Sequence, residues 1–530
     1  MKYIKKLHSN EDAVILPGVL SAILAFIIIS GAVLTVIQSN LGIVSRNIQS
    51  QQAFNIAEAG ANYYLWHLSH ASADFKDGKT TPTTPDATLG YGPYVHNYVD
   101  DNSKQAGTYT LWIKPDGVGS TIATVRSIGQ VNGTNVKRTV EARIGAASFS
   151  SYGLVSDSAF WFGSTESSNG PVHSNQGVEM DGANIGDVTS SNTTYTVPSG
   201  LHGAGTTKPG VWCEPLITTP INCNTRSKSD WRYPVPLVDF NQVTSSLCTI
   251  KKLAFSANAS TSALAALGTA CSQTPNTLTN AYLPQRSTTG TYNIAKGYLI
   301  ELNNDGTYNL SYVNGESDQL TPYTSALTKV LIGNNIAPPS SGIIFAEDNV
   351  WVRSNPTYKG RITIGAGRLA SATTAANITV ADDLLYSTKN GTDAIGLIAE
   401  NAVEVAPYAI PASGSFDFEV DAGVIAQTGS VQYPGTYKTS SSKCTRGWVN
   451  SNQKFVFYGS LATRQIWTWT WAQGGSSCGD AVNSGSDGYI SGVYHNETQY
   501  DYNLLYAPPP SFPITSGYNV ISWREVLTAP

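Results

Sequence analysis

The sequence predicts a mainly β protein carried on one long N-terminal α-helix. The expected order is a helical rod, a small β module and a body wound as a right-handed parallel β-helix, with a β-sandwich as the alternative for that body. Three observations predict it. An uncharged, largely apolar run from residue 13 to residue 38 passes without a break into a helical pattern. Alternating apolar and polar segments follow between 88 and 146. Beyond 150, short apolar segments with small-residue corners recur between Gly, Ser and Asn turns.

The rod comes first. Residues 13–38 are long enough to cross a hydrocarbon core as a helix. No proline stands between Pro17 and Pro82, and Leu41, Val44, Ile48, Ala53, Ile56, Gly60, Tyr64 and Leu68 recur at near-helical spacing. One rod from residue 13 to about 70 is therefore expected, ~85 Å long at helical rise. Phe75-Lys76-Asp77-Gly78 and the Thr/Pro run at 80–85 end it. Lys2, Lys5 and Lys6 precede the apolar run, and Arg46 is the first cation after it. This balance puts 1–12 in the cytoplasm, 13–38 in the membrane as a transmembrane helix, and 39–75 outside. The competing reading is a removable signal peptide. Against it, the run exceeds an h-region of roughly 7–15 residues.

The module at 88–146 contains three apparent strands, at 109–113, 122–129 and 136–144, with Asn132-Gly133 as the hairpin turn between the last two. The body at 150–500 carries a loose repeat. Ile343-Ile344-Phe345-Ala346-Glu347-Asp348 is echoed at 378–385, 397–403 and 424–431, and 170–182 has the same style. Alanine fits the inside of a coil corner, and stacked Asp or Asn there can bond the backbone of the neighbouring coil. Residues 205–340 interrupt the rhythm and read as an insertion or an elaborated set of coils. They contain four cysteines, a possible helix at 260–267 and a hairpin turning at Asn304-Asp305-Gly306. The segment 501–530, with Pro508-Pro509-Pro510, reads as a rigid strap or return strand lying along the β body.

Composition narrows the function classes. Of 530 residues only 13% are charged, and the net charge of -5 leaves no basic footprint, which excludes nucleic acid as a partner. The six cysteines all follow the rod and fall into local pairs: Cys213 with Cys223, Cys248 with Cys271, and Cys444 with Cys478. An even count outside the cytoplasm reads as disulfides. The histidines are scattered and no nucleotide-binding or nucleophile motif is present, so neither a cofactor nor a metal is expected.

Two constellations could carry chemistry. Glu347, Asp348, Asp382, Asp383 and Glu400 are candidates for the acid and base of a polysaccharide hydrolase or lyase. The favoured alternative makes them corner residues that satisfy backbone groups, because they recur in register. Trp467, Trp469 and Trp471 alternate as on one strand face; they fit a stripe that stacks sugars, or a cover for the β core.

Ala53-Phe54-Asn55-Ile56-Ala57-Glu58-Ala59-Gly60, following an apolar N-terminal helix, resembles the PilX-type, type IV pilin-like N-terminal module. The resemblance spans about seventy residues. It implies assembly through the rod, with Phe54, Glu58 and Tyr64 as candidate assembly residues, and partners among pilin-like subunits or pilus machinery. Glu58 also reads simply as an exposed helix former. Asn10-Glu11-Asp12 stand where pilins present a glycine before the apolar run, so the resemblance does not carry peptidase processing to this chain. The expected function is a membrane-anchored surface protein that contributes to filament assembly or a filament tip. The head would make adhesive contact with glycans or other cells. A membrane-tethered carbohydrate-active enzyme and a static envelope protein are the alternatives.

Overall fold

The computed structural model describes residues 12–526 except 72–73, 83, 101–102, 117–119, 165, 224–229, 257–270, 272–274, 287–295, 317–326, 371–373, 410–416, 434–453, 474–481, 484–488, 493–495 and 516. The expected pair Cys444 with Cys478 and the expected helix at 260–267 lie outside the described residues.

The rod is one helix, α1 (Asp12–His70), running through Pro17 without a break. Pro17 sits in the second turn, close to the end where missing backbone donors cost least. The helix ends in a polar knot. Asp74 accepts the backbone N–H of Lys76 at 2.8 Å and of Gly78 at 2.6 Å. Tyr63 donates its hydroxyl to Asp77 at 3.0 Å, and His96 meets the same carboxylate at 2.7 Å.

The small module is an antiparallel sheet of β1 (Tyr91–Val99), β2 (Gln105–Pro115), β3 (Ile122–Val131) and β4 (Lys137–Gly145) in sequence order. The turn at Asn132-Gly133 joins β3 to β4, with Gly133 at φ +70°. A fifth strand closes the edge: Asn519–Val526 pairs antiparallel with β4 from Asn519↔Gly145 to Val526↔Thr139. The alternating pattern of these strands turns Tyr109, Leu111, Ile113, Val125, Val140 and Ile144 onto the outer half of α1. There they bury Ala53, Ile56, Ala57, Ala61, Tyr64 and Leu68. The approach is unusually close. A Cβ on Gly129 would lie 2.1 Å from the Ala53 carbonyl oxygen, and one on Gly60 2.3 Å from Ser127 Oγ.

The body winds as a parallel β-helix. From residue 343 onward, successive strands alternate between two sheets. Ile343–Ala346, Arg361–Ala366, Ala394–Ala399, Phe418–Ala426 and Phe455–Thr463 lie side by side in the larger sheet. Asn349–Asn355, Ile378–Val380, Val403–Val405 and Val431–Gln432 lie side by side in the other. All of these pairings are parallel, which an antiparallel sandwich does not have. Register stacks like on like. Ile344, Ile364, Leu397, Val424 and Leu461 make one aliphatic row inside the coil. Two positions on, Ala346, Ala366, Ala399 and Ala426 line the corner.

The coils are not laid down in chain order. Leu154–Ser156 starts in the middle of the larger sheet, and Val172–Ser174, Val188–Ser190 and Trp231–Arg232 run outward from it. The chain then crosses to the far edge, enters at Tyr282–Leu283 and winds back until Phe455–Thr463 pairs with Leu154–Ser156. The rows persist across that seam: Leu461, Leu154, Val172 and Val188 continue the aliphatic row, while Thr463, Ser156, Ser174 and Ser190 continue the small corner row.

Part of 205–340 is therefore coil, and part is the crossing. The crossing contains a helix, Asn241–Ser256, that sequence reading missed. Its Val243, Leu247, Ile250 and Ala254 cover the outer face of the larger sheet over Phe345, Ile398, Ile425 and Ala462. That cover explains why strands such as Ala394–Ala399 are apolar at every position: both of their faces are buried. Disulfides Cys213–Cys223 and Cys248–Cys271 pin this region, with Cα separations of 6.1 and 5.6 Å. The hairpin turning at Asn304-Asp305-Gly306 joins Gly297–Asn303 to Tyr308–Glu316 at the end of the second sheet.

The C-terminal strap needs one correction. Its first part does lie on the body, where Arg361 donates to the carbonyls of Ala507 and Pro508 at 2.6 Å and Phe512 joins the outer core. The last strand leaves the body for β4, because that edge offers unpaired backbone groups and an apolar neighbour in Phe54. The Trp523 ring lies 5.7 Å from the Phe54 ring.

Gly129→Val is expected to wedge α1 from its sheet and cost about 1–3 kcal/mol, since the contact is with rigid helix backbone. Chemical unfolding of the full chain in detergent micelles, followed by tryptophan fluorescence, measures this.

Candidate functional site

The first candidate site is the rod itself. Among the described residues, α1 is the one helix long and apolar enough to cross a membrane, and none of its most apolar stretch is buried in the chain. Leu24, Phe26, Ile27, Ile28, Ile29, Val33 and Leu34 are each at least half exposed, and so are Leu41, Val44 and Ile48. The sheet's cover starts only near Ala53. The described residues thus leave a greasy cylinder uncovered.

The three expected assembly residues divide differently. Tyr64 is fully buried and donates its hydroxyl to the Asp74 carbonyl at 2.9 Å. Phe54 is half-buried under Trp523, with the Arg138 guanidinium 5.4 Å from its ring centre. Both fasten the module onto its own helix. Tyr64 is fully covered there, which corrects its reading as a contact between subunits, while Phe54 keeps part of its surface exposed. Glu58 is half-exposed and has no ion-pair partner among the described residues.

The second candidate is the set of corner carboxylates, which the structure builds into the coil framework. Glu347 and Lys251 form an ion pair with both side chains fully buried, and Tyr282 donates its hydroxyl to the same carboxylate at 3.0 Å. Burial pushes the Glu347 carboxyl up, against the pull of Lys251. Asp348 is held by Arg286 at 3.1 Å and by Arg368. Glu400 accepts the backbone N–H of Arg368 at 2.7 Å and of Ala376 at 3.2 Å. Asp382 faces Arg353 at 3.5 Å. Asp383 accepts the Glu419 N–H of the next coil at 2.9 Å, and burial pushes its carboxyl up to about 6. An amide ladder stands beside them. Asn349 accepts the Asn377 N–H at 3.0 Å, and Asn401 donates its side-chain amide to Asn377 at 2.9 Å. Each of the five carboxylates thus has a framework partner, as coil corners need. Sequence reasoning missed those partners, Lys251, Arg286 and Arg368, because each arrives from another coil or from the crossing, with no local signal.

The third candidate is corrected by the structure. Trp467 and Trp469 are 4% and 3% exposed and sit in the coil core. Their rings pack on Phe162 at 5.3 Å and Phe455 at 4.8 Å, and on each other at 6.2 Å. They cannot stack a sugar at the surface. Both stand in the loop before Thr470–Gln473, whose backbone carries Trp471, and of the two sequence readings their burial fits the cover for the β core.

Two changes test the framework roles. Lys251→Ala is expected to cost about 3–5 kcal/mol because it strands a buried charge, with Lys251→Met plus Glu347→Gln recovering most of the loss. Denaturant unfolding reads it. Asp383 has its folded-state value raised above the unfolded one, so the native chain binds the extra proton between pH ~4 and ~6. Stability from this group is therefore gained as pH falls through that window and lost as pH rises. Asp383→Asn, which keeps the acceptor oxygen, is expected to match or exceed the parent Tm at pH 7.5 and to lose that advantage at pH 5.

No family model matches the chain, and no curated protein matches it. Three solved chains do. One is the competence-associated pilin ComZ from Thermus thermophilus, 14% identical to this chain, with the alignment covering 91% of this chain and 98% of that one at a TM-score of 0.29.

Proposed function

We propose that this protein is a pilin-like subunit, held in the membrane by the inner half of α1 and packed there against the rods of like subunits. In this reading it joins a type IV pilus-like filament or its tip and displays the β-helical head for contact with surfaces. The observation that carries the reading is the division of a single rod. Its outer half is covered by the chain's own antiparallel sheet, and its inner half is bare and apolar. A bare apolar helix needs either lipid or other helices around it, and a filament of parallel rods supplies the second after the first. The closed, charge-poor body and its disulfides suit life outside the cytoplasm.

The test is where the tagged chain goes. It is expected in the membrane fraction and in filaments sheared from the cell surface. Ile28→Lys, in the middle of the bare stretch, should deplete both by roughly tenfold or more, given the cost of a charge at mid-bilayer. Recovery of the unaltered chain as a free monomer in the medium, absent from both fractions, would overturn the proposal.

A further inference from the structure

At the side of the early coils, three side chains from separate local segments converge. Glu179 stands in the strand Val178–Met180, which pairs in parallel with Val211–Trp212, so Glu214 follows just beyond that neighbour. His202 comes from the tip of the hairpin formed by Thr194–Thr196 and Thr207–Pro209. One ligand-type atom from each of Glu179, His202 and Glu214 lies within 4.8 Å of the others. His202 Nδ1 is 2.7 Å from Glu179 Oε1.

A second observation separates this cluster from an ordinary surface pair. Glu179 is 1% exposed, yet its other oxygen, Oε2, is buried with no hydrogen-bond donor among the described residues. A buried carboxylate oxygen without a donor is costly, and a cation beside it removes that cost. Around the cluster, Asp181 accepts the Glu214 backbone N–H at 2.9 Å and the Trp161 indole N–H at 2.7 Å, so the approach of Glu214 is braced from behind. Lys208 is the nearby cation, 3.9 Å from Glu214 and stacked over Trp212 at 4.0 Å.

We infer that Glu179, His202 and Glu214 form a divalent-cation site, suited to zinc, that pins the 197–206 hairpin loop to the coil. One imidazole nitrogen with two carboxylate oxygens is a borderline donor set, which favours zinc over calcium. Ligands at zinc distances stand roughly 3.3–3.5 Å apart, so His202 and Glu214, both exposed, need to move by about an ångström. Three protein ligands leave the fourth position to water.

The experiment uses the full chain in detergent micelles, stripped with EDTA and titrated with zinc against a chromogenic chelator. One zinc per chain is expected, at micromolar affinity or tighter, and undisplaced by millimolar calcium. His202→Ala and Glu214→Gln alter exposed side chains, so both should keep the parent circular dichroism and weaken zinc binding at least tenfold. Glu179→Gln should do the same. Absence of zinc binding by the parent chain overturns the inference. Equal binding by the parent and by the folded His202→Ala and Glu214→Gln variants also overturns it, and leaves His202 and Glu179 as a simple hydrogen-bonded pair.

Discussion

The structure depends on how the apolar surface of α1 is covered. A helix of 59 residues with apolar side chains on most of its circumference cannot stand alone in water. The chain provides a sheet for one end only, and the close approach at Gly60 and Gly129 shows how tightly that sheet is drawn in. Everything else follows from the remainder. The inner half is bare and apolar, with no cover among the described residues. Among the described residues, the small module is what joins rod to head.

The head solves a different problem, that of a parallel sheet with two buried faces. Inside, aliphatic rows run through both series of coils. Outside, the crossing helix and the C-terminal strap supply the second layer. The corner groups then satisfy what the winding leaves open: alanines where the backbone crowds, carboxylates and amides where peptide N–H groups need acceptors. Where the early coils have Ser or Thr at the corner, the hydroxyls take over that task, as Ser174 does by accepting the Gln176 N–H at 2.9 Å and donating to the Ser158 carbonyl at 3.0 Å.

Much of this was legible in the sequence because it is written in local periodicity. The rod, the Asn132-Gly133 turn, the alanine corners and the cysteine pairs at 213/223 and 248/271 are short-range patterns, and physics reads them directly. What was hidden is non-local. Nothing near Asn241 announces a helix that covers a distant sheet, and nothing near Asn519 announces a partner in β4. The Trp467/Trp469 alternation has the same appearance whether it faces solvent or core; only the closed coil decides. Tyr64 was placed on the right helix and given the wrong neighbour, because a helical stripe does not say whose surface it meets. Glu179, His202 and Glu214 have no motif spacing, since parallel register and a hairpin tip bring them together.

The fifth strand of the module has a mechanical meaning. The head is joined to the rod by two crossings, one leaving β4 at Gly145 and one returning at Asn519, and they are zipped side by side where Phe149 N–H meets the Pro513 carbonyl at 3.0 Å and Thr515 N–H meets the Ala147 carbonyl at 2.7 Å. A tug on the head directed along these strands divides between two tethers. In the second tether the load passes into a ladder whose hydrogen bonds lie across the pull, so they resist in shear as a group and do not open one at a time. The chain has doubled its leash at the point where a pull on the head would otherwise hang on a single strand.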